Sequence, residues 1–310
     1  MSSRLRNVAA QNQSIAEAGG YRAEDGTEVR IAEALAAAVA GTRCVAPDAV
    51  LPAPRGGAEA GACTAFEVTA EGSLQAARRL VASAAAAGGR DGGGGRDGRG
   101  GGRRDGSVAV LNFASARNVG GGYLGGARAQ EEDLCRQSLL HPCLLTAPEY
   151  YDAHRASDDL LYSDRLIWSP AVPVHRGERG ELLAQPCAVS FLTCPAPNAG
   201  ALLRRDGRDP EARARILSRI GETLTRRAGR VLGVAAGEGV RDLVLGAWGC
   251  GVFRNDPREV AEAFRAWLRP GAAFADTFDR VVFAVWDRAE PSPNRAAFAE
   301  VFAGLGATSE

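Results

Sequence analysis

No lysine occurs anywhere in this 310-residue chain. All 37 basic residues are arginine, and they balance 37 acidic residues to a net charge of zero. The absence of lysine excludes Schiff-base chemistry, which needs a lysine amine. The absence of net positive charge removes the field that draws a protein non-specifically onto nucleic acid, so no direct nucleic-acid binding is expected. With the excess of alanine and glycine, the all-arginine usage points to a GC-rich coding sequence rather than to a mechanism. Cysteine is present but unpatterned. Cys44, Cys63, Cys135, Cys143, Cys187, Cys194 and Cys250 form no C-x-x-C pair. An odd count without a framework fits free thiols in a reducing cytoplasm. Cys135, His141 and Cys143 are close in sequence but lack a fourth ligand at usual spacing, so burial is expected there and no metal or other cofactor. No apolar core follows Met1-Ser2-Ser3-Arg4-Leu5-Arg6, so no signal peptide is expected. No uncharged apolar run reaches membrane-spanning length. A cytoplasmic monomer is the expectation.

What is present supports a sizeable core. A 310-residue chain with 45% hydrophobic content can bury one large core or two smaller ones. Helices are expected over Leu5–Ala18 and Val29–Ala40, followed by a linker marked by Pro47, Pro52 and Pro54. Residues 1–62 therefore read as an N-terminal helical extension and residues 63–310 as the main domain. Strands are expected at Ala65–Thr69, Val108–Leu111, Arg165–Trp168, Ala188–Thr193, Val240–Leu245 and Val281–Trp286. Helices are expected at Ser73–Ala87, Pro210–Leu232, Pro257–Leu268 and Asn294–Leu305. Interleaved strands and helices argue an α/β sheet covered on both faces. Residues 88–106 are nearly all Gly, Arg and Asp, a low-complexity insert with nothing to bury, expected to be a surface loop.

The most informative stretch is Gly120-Gly121-Gly122-Tyr123-Leu124-Gly125-Gly126-Ala127-Arg128-Ala129-Gln130-Glu131-Glu132. Glycines let main-chain N–H groups approach an anion such as a pyrophosphate closely. Two adjacent carboxylates beside such a site are electrostatically wasteful unless they do chemistry or bind hydroxyls. The combination suggests a site that grips a phosphorylated sugar and acts on a nearby bond. Asn118 offers a donor and an acceptor suited to vicinal ribose hydroxyls. Ala127 to Leu140 reads as a helix with Gln130, Glu131 and Glu132 in its first turn. A second glycine loop lies between the Asp242–Leu245 strand and a strong helix start at Asp256-Pro257-Arg258-Glu259. Gly246, Gly249 and Gly251 punctuate it, and Phe253 at its end is placed to pack against a ribose or, equally, as a core aromatic.

Other readings compete. Gly120, Gly122 and Gly125 satisfy G-x-G-x-x-G, the spacing of a dinucleotide-binding turn. In that motif the glycines leave the strand directly, whereas eight residues intervene here after Leu111. Two carboxylates at the helix start would also repel a pyrophosphate. A glycine turn followed by a solvated acidic helix start is the plainer alternative, since acidic residues there stabilise the helix dipole without a function. That alternative leaves the second glycine loop unexplained. Cys250 lacks a nearby histidine in sequence to activate it, so steric filling is expected rather than nucleophilic catalysis.

Taken together, these residues resemble a known family. A strand ending in Asn112-Phe113-Ala114, then Asn118, then Gly120-Gly121-Gly122, then seven residues and Gln130-Glu131-Glu132, is similar to the signature of the poly(ADP-ribose) glycohydrolases. Ala127, Leu134-Cys135-Arg136 and Ser138 resemble the bacterial-type branch. Leu245-Gly246-Ala247-Trp248-Gly249-Cys250-Gly251-Val252-Phe253 is similar to that family's second phosphate loop. The resemblance runs from about Phe66 to the C-terminus and more faintly into the N-terminal helices.

The resemblance implies a macrodomain-like fold, a mixed sheet sandwiched by helices that binds ADP-ribose in a cleft at strand ends. It implies poly(ADP-ribose) or ADP-ribosylated protein as substrate, with Asn118, Gly120, Gly121, Gly122, Gln130, Gly249, Cys250, Gly251, Val252 and Phe253 as binding residues. Cleaving an O-glycosidic bond needs an acid at the leaving oxygen and an activated water. Side chains at adjacent positions diverge, so Glu131 and Glu132 cannot bracket one bond, and one glutamate must serve as acid and then base. The resemblance assigns that role to Glu132 and leaves Glu131 to a ribose hydroxyl. An unperturbed glutamate near 4.3 is only ~0.2% protonated at pH 7. Desolvation and repulsion should raise Glu132 against the opposing helix N-terminus once substrate excludes water. Two alternatives stay open: hydrolysis of another ADP-ribose linkage, such as a mono-ADP-ribosyl adduct, and a reader that binds ADP-ribose without cleaving it. Retention of Gln130, Glu131 and Glu132 favours catalysis over reading.

Overall fold

The computed structural model describes residues 2–51, 63–88, 107–288 and 290–309. The Gly/Arg/Asp insert expected at 88–106 lies outside these residues except for Gly88, as do Pro52 and Pro54 of the expected linker. In chain order the elements are α1 (Ser3–Ala18), β1 (Gly20–Arg22), β2 (Glu28–Arg30), α2 (Ala32–Gly41), β3 (Arg43–Val45), β4 (Ala65–Thr69) and α3 (Ser73–Gly88). Then come β5 (Val108–Phe113), α4 (Gln130–Gln137), α5 (Leu140–Leu144), α6 (Pro148–Arg155), β6 (Leu166–Arg176), β7 (Leu182–Cys194), α7 (Ala199–Asp206) and α8 (Pro210–Gly237). The chain closes with β8 (Asp242–Leu245), α9 (Pro257–Leu268), β9 (Arg280–Ala284), α10 (Pro293–Ala303) and β10 (Thr308–Ser309).

Eight strands form one mixed sheet in the order β10-β4-β9-β8-β5-β7-β6-β3. The six from β10 to β7 are parallel, and β6 and β3 add antiparallel edges. Its centre is buried on both sides because its strands are apolar at both parities. In β5, Val108 and Val110 face one core while Ala109 and Leu111 face the other. β8 and β9 repeat the alternation, with Val244 and Val282 on the first face and Leu243, Leu245, Val281 and Phe283 on the second. Period-two side-chain direction thus converts a continuous apolar run into a two-sided layer. Helices α8, α9 and α10 bring Leu224, Val231, Phe264 and Phe298 to the second core.

Residues 1–62 do more than precede the sheet. β3 pairs with β6, Cys44 opposite Ile167, and Ala9, Ile15, Leu35 and Ala38 join the first core. The expected Val29–Ala40 helix begins only at Ala32. Glu28–Arg30 is a strand paired with β1, closed by a turn in which Thr27 N–H donates to Asp25 Oδ1 at 2.9 Å and Gly26 has φ +87°. The expected Ala127–Leu140 helix is shorter too. α4 stops at Gln137 because Ser138 is extended (φ −131°, ψ 172°) and bridges Val174 of β6.

Parallel pairing places the C-terminal ends of β4, β9, β8, β5 and β7 along one edge of the sheet. β5 and β8 are neighbours, with Val108 opposite Asp242, so the glycine loops that follow them emerge side by side. Ligand clefts in open α/β sheets lie at this edge. Among the described residues, no helix is long and apolar enough to cross a membrane, and no three His, Cys, Asp or Glu side chains converge as a metal site would need.

Candidate active site

The first loop is a run of tight turns wrapped round two carboxylates. Gly121 N–H donates to Asn118 C=O at 3.0 Å and Tyr123 N–H to Gly120 C=O at 3.1 Å. Gly120 and Gly121 have φ of +64° and +61°, the left-handed region open to glycine. A Cβ on Gly121 would lie 2.5 Å from Glu132 Oε1 and 3.0 Å from Glu131 Oε2. The glycine is therefore required both by its backbone and by the closeness of the acids.

The two glutamates, adjacent in sequence, are held differently. Glu131, only 3% exposed, accepts from Ser115 N–H at 2.7 Å and from Asn112 Nδ2 at 3.3 Å. Asn112 also donates to Thr193 Oγ1 of β7 at 3.1 Å. Burial pushes the Glu131 carboxyl up to about 8, against the lowering pull of those two hydrogen bonds, and the charge of Glu132 adds to the rise. Glu132 Oε1 accepts from Gly122 N–H at 2.8 Å. Its Oε2 is buried and has no hydrogen-bond partner among the described residues. A buried carboxylate oxygen without a donor is costly in a finished structure and useful in a catalytic one.

Gln130 lies beside them and ties the helix to β5. Its Oε1 accepts from Phe113 N–H at 2.9 Å, and its Nε2 donates to Leu111 C=O at 2.8 Å and Ser73 Oγ at 3.1 Å. Asn118 is exposed at the turn before the glycines.

The far end of α4 is pinned from the N-terminal helix. Asn12, 3% exposed, donates to Cys135 C=O at 3.2 Å and Arg136 C=O at 2.8 Å. Its Oδ1 accepts from Arg176 Nε at 2.8 Å and lies 3.0 Å from His175 Nε2. One amide on α1 thus joins α4 to β6.

The second loop has the character of an anion cradle. Gly249 is left-handed (φ +73°), and a Cβ there would meet Asn255 Nδ2 at 2.4 Å and Ala196 Cβ at 2.5 Å. Asn255 fixes the turn, donating from Nδ2 to Pro197 C=O at 2.9 Å and Gly249 C=O at 3.2 Å. The N–H groups of Gly251, Val252 and Phe253 donate to no acceptor among the described residues. Successive uncommitted N–H groups in a glycine loop form the concavity that binds phosphate oxygens. In the first loop, by contrast, the N–H groups of Gly121 and Gly122 are already spent on Asn118 and Glu132. Val252 is 83% exposed. Cys250 is an unlikely nucleophile by chemistry, since burial and the nearby Asp256 charge push its thiol up to about 12.

Buried aromatics connect the two loops. Tyr150 packs on Tyr151 (4.8 Å) and His154 (4.7 Å), His154 on Tyr162 (5.8 Å), and Tyr162 on Phe253 (6.0 Å). Burial first, and the Glu131 charge second, push the Tyr151 hydroxyl up. Beneath this row lies Arg227, fully buried, which donates to Asp164 Oδ1, Pro195 C=O, Leu161 C=O and Tyr162 C=O. Sequence reasoning assigned no task to Asn112, Ser115, Tyr150, Tyr151, Tyr162, Asn12 or Arg227. Two of them carried a signal: Asn112 is polar inside an apolar strand, and Arg227 falls on the apolar stripe of Ile220, Leu224 and Val231.

Known proteins match this arrangement. Residues 9–177 match the family model for the microbial-type PARG catalytic domain. A solved poly(ADP-ribose) glycohydrolase from Thermomonospora curvata is 45% identical over 97% of this chain and 100% of its own, with a TM-score of 0.81. The same enzyme bound to the inhibitor ADP-HPD matches at 46% identity over 96% and 99% of the two chains, TM-score 0.79. The Deinococcus radiodurans enzyme in complex with ADP-ribose is 39% identical over 89% of this chain and 99% of its own, TM-score 0.71. A comparison with curated proteins found no match.

Proposed function

Because this chain belongs to the microbial-type poly(ADP-ribose) glycohydrolase family, we propose that it hydrolyses the ribose–ribose O-glycosidic bonds of poly(ADP-ribose) and releases ADP-ribose. The observation that carries this reading is the unequal treatment of two neighbouring glutamates. Glu131 is committed at both oxygens to Ser115 and Asn112. Glu132 is committed at one oxygen only, to Gly122 N–H, and holds a second, buried oxygen uncommitted.

In the mechanism, the pyrophosphate of the terminal ADP-ribose unit rests on the N–H groups of Gly251, Val252 and Phe253. Phe253, backed by Tyr162, packs against a ribose. Glu132 donates a proton from Oε2 to the leaving ribose oxygen as the glycosidic bond breaks through an oxocarbenium-like state. The same oxygen then takes a proton from water, whose hydroxide adds to the anomeric carbon. Glu131 accepts a hydrogen bond from a ribose hydroxyl and fixes the sugar. Gly122 N–H holds the carboxyl in place through both steps, so little reorganisation is needed at reaction.

Incubation with labelled poly(ADP-ribose) and, separately, with mono-ADP-ribosylated protein tests the reading. Release of ADP-ribose from the polymer is expected. Release only from the mono-modified protein would reassign the linkage. Binding of ADP-ribose with no release from either substrate would make the chain a reader.

A further inference from the structure

Beyond the residues that hold one ADP-ribose unit, we infer that Arg204 and Arg254 form a second anion subsite, for the pyrophosphate of the adjoining repeat unit of the polymer. The inference rests on the proposed reaction for the identity of the polymer and on separate observations for the site.

Arg254 directly follows Phe253, and Arg204 lies on α7, whose first turn is joined to the second loop by Gly200 N–H donating to Phe253 C=O at 2.8 Å. A Cβ on Gly200 would lie 3.1 Å from Arg254 Cδ and 3.3 Å from Arg204 Nη1. Both long side chains therefore reach one point over the glycine, in space that any other residue would fill. Both are exposed. Among the described residues neither is paired with a carboxylate, whereas the adjacent Arg205 is paired with Asp206 at 2.9 Å. Like charges brought to one point repel, and an anion between them relieves that repulsion. Arg254 also has φ +57°, a conformation uncommon for a residue with a long side chain. Outliers of this kind cluster at ligand sites.

The chemistry fits a pyrophosphate. Guanidinium groups bind phosphate oxygens through paired N–H donors, and poly(ADP-ribose) carries a pyrophosphate in every repeat. The first pyrophosphate is served by the N–H groups of Gly251, Val252 and Phe253, which leaves the arginine pair for the next.

The test compares the R204A/R254A double variant with the unsubstituted protein, and with R22A as a control on the distant β1–β2 hairpin. Three quantities are read: KM for long poly(ADP-ribose), its dependence on salt, and Kd for free ADP-ribose by calorimetry. The double variant should raise the polymer KM about five- to tenfold while leaving the ADP-ribose Kd within about twofold. The slope of log KM against log salt should fall by about 1. R22A should change neither. An unchanged polymer KM and salt slope overturn the subsite. So does an ADP-ribose Kd that weakens as much as the polymer KM, because the arginines then serve the terminal unit. The rate of the unsubstituted protein on polymer reports separately on the reaction, so the two readings fail by different results.

Discussion

Gly122 N–H donates to Glu132 Oε1 at 2.8 Å across ten positions of sequence. The glycine loop and the helix that follows it are thereby closed on each other through the carboxyl assigned to catalysis. The bond is local in the chain and central to the site, which explains why the loop and the two glutamates form one recognisable unit in the sequence.

The first prediction concerns the closeness of that loop. Gly121→Ala places a Cβ 2.5 Å from Glu132 Oε1 and puts an L-residue at φ +61°. The backbone alone should cost about 1–2 kcal/mol of stability. Displacement of the carboxyl should lower turnover further than the stability loss explains. Thermal melting and initial rates on polymer would check both, and a fully active Gly121→Ala would mean the loop does not hold Glu132 in place.

A second prediction concerns pH. Burial raises Glu131 from 4.5 to about 8, so the folded chain binds a proton there that the unfolded chain has released. Stability from this group is full below pH 4.5 and is lost as pH rises through about 8. Glu131→Gln carries no such proton. Its melting temperature relative to the unsubstituted protein should therefore increase from pH 5 to pH 9. A constant difference across that range would contradict a raised Glu131. The same variant should weaken ADP-ribose binding, since the proposed hydroxyl contact exists before reaction.

Asn12 gives a third. Asn12→Ala removes four buried hydrogen bonds and leaves Cys135 C=O, Arg136 C=O, His175 and Arg176 without that partner. A loss of about 3 kcal/mol is expected. Turnover should fall more than ADP-ribose affinity, because α4 carries Glu132 and the second loop is remote from Asn12. Urea denaturation with an unshifted midpoint would show that α1 does not anchor α4.

Much of this architecture is readable from the chain, and the unread part has physical causes. β5, β8 and β9 are short apolar runs at both parities, the pattern of a strand buried on two faces, and all three lie where the sequence places them. β6 and β7 extend well past the expected Arg165–Trp168 and Ala188–Thr193. Pro170 and Pro173 interrupt the β6 pattern, and the pairing survives only through a register shift between Ser169 and Val172. The alanine-rich run after Val29 reads as helix, but the Asp25-Gly26 turn before it folds Glu28–Arg30 into a hairpin first. At the site, the glycine triplet and Gln130-Glu131-Glu132 are contiguous and legible. Asn12, 119 residues before Glu131, and Arg227, 96 residues after it, act through contacts that only the folded topology creates.

The most direct measurement of the central claim is single-turnover hydrolysis of poly(ADP-ribose) by Glu132→Gln, paired with calorimetry of ADP-ribose binding. Glutamine keeps the size of the side chain and its bond to Gly122 N–H but cannot exchange a proton at neutral pH. General acid–base catalysis typically contributes about 10² to 10⁴ in rate, and the loss should lie at the upper end because Glu131 is held away by Ser115 and Asn112. ADP-ribose affinity should stay within about a few-fold, since the proton acts in the transition state. Near-normal turnover by Glu132→Gln with an inactive Glu131→Gln would exchange the two roles, and full activity in both variants would place the chemistry elsewhere.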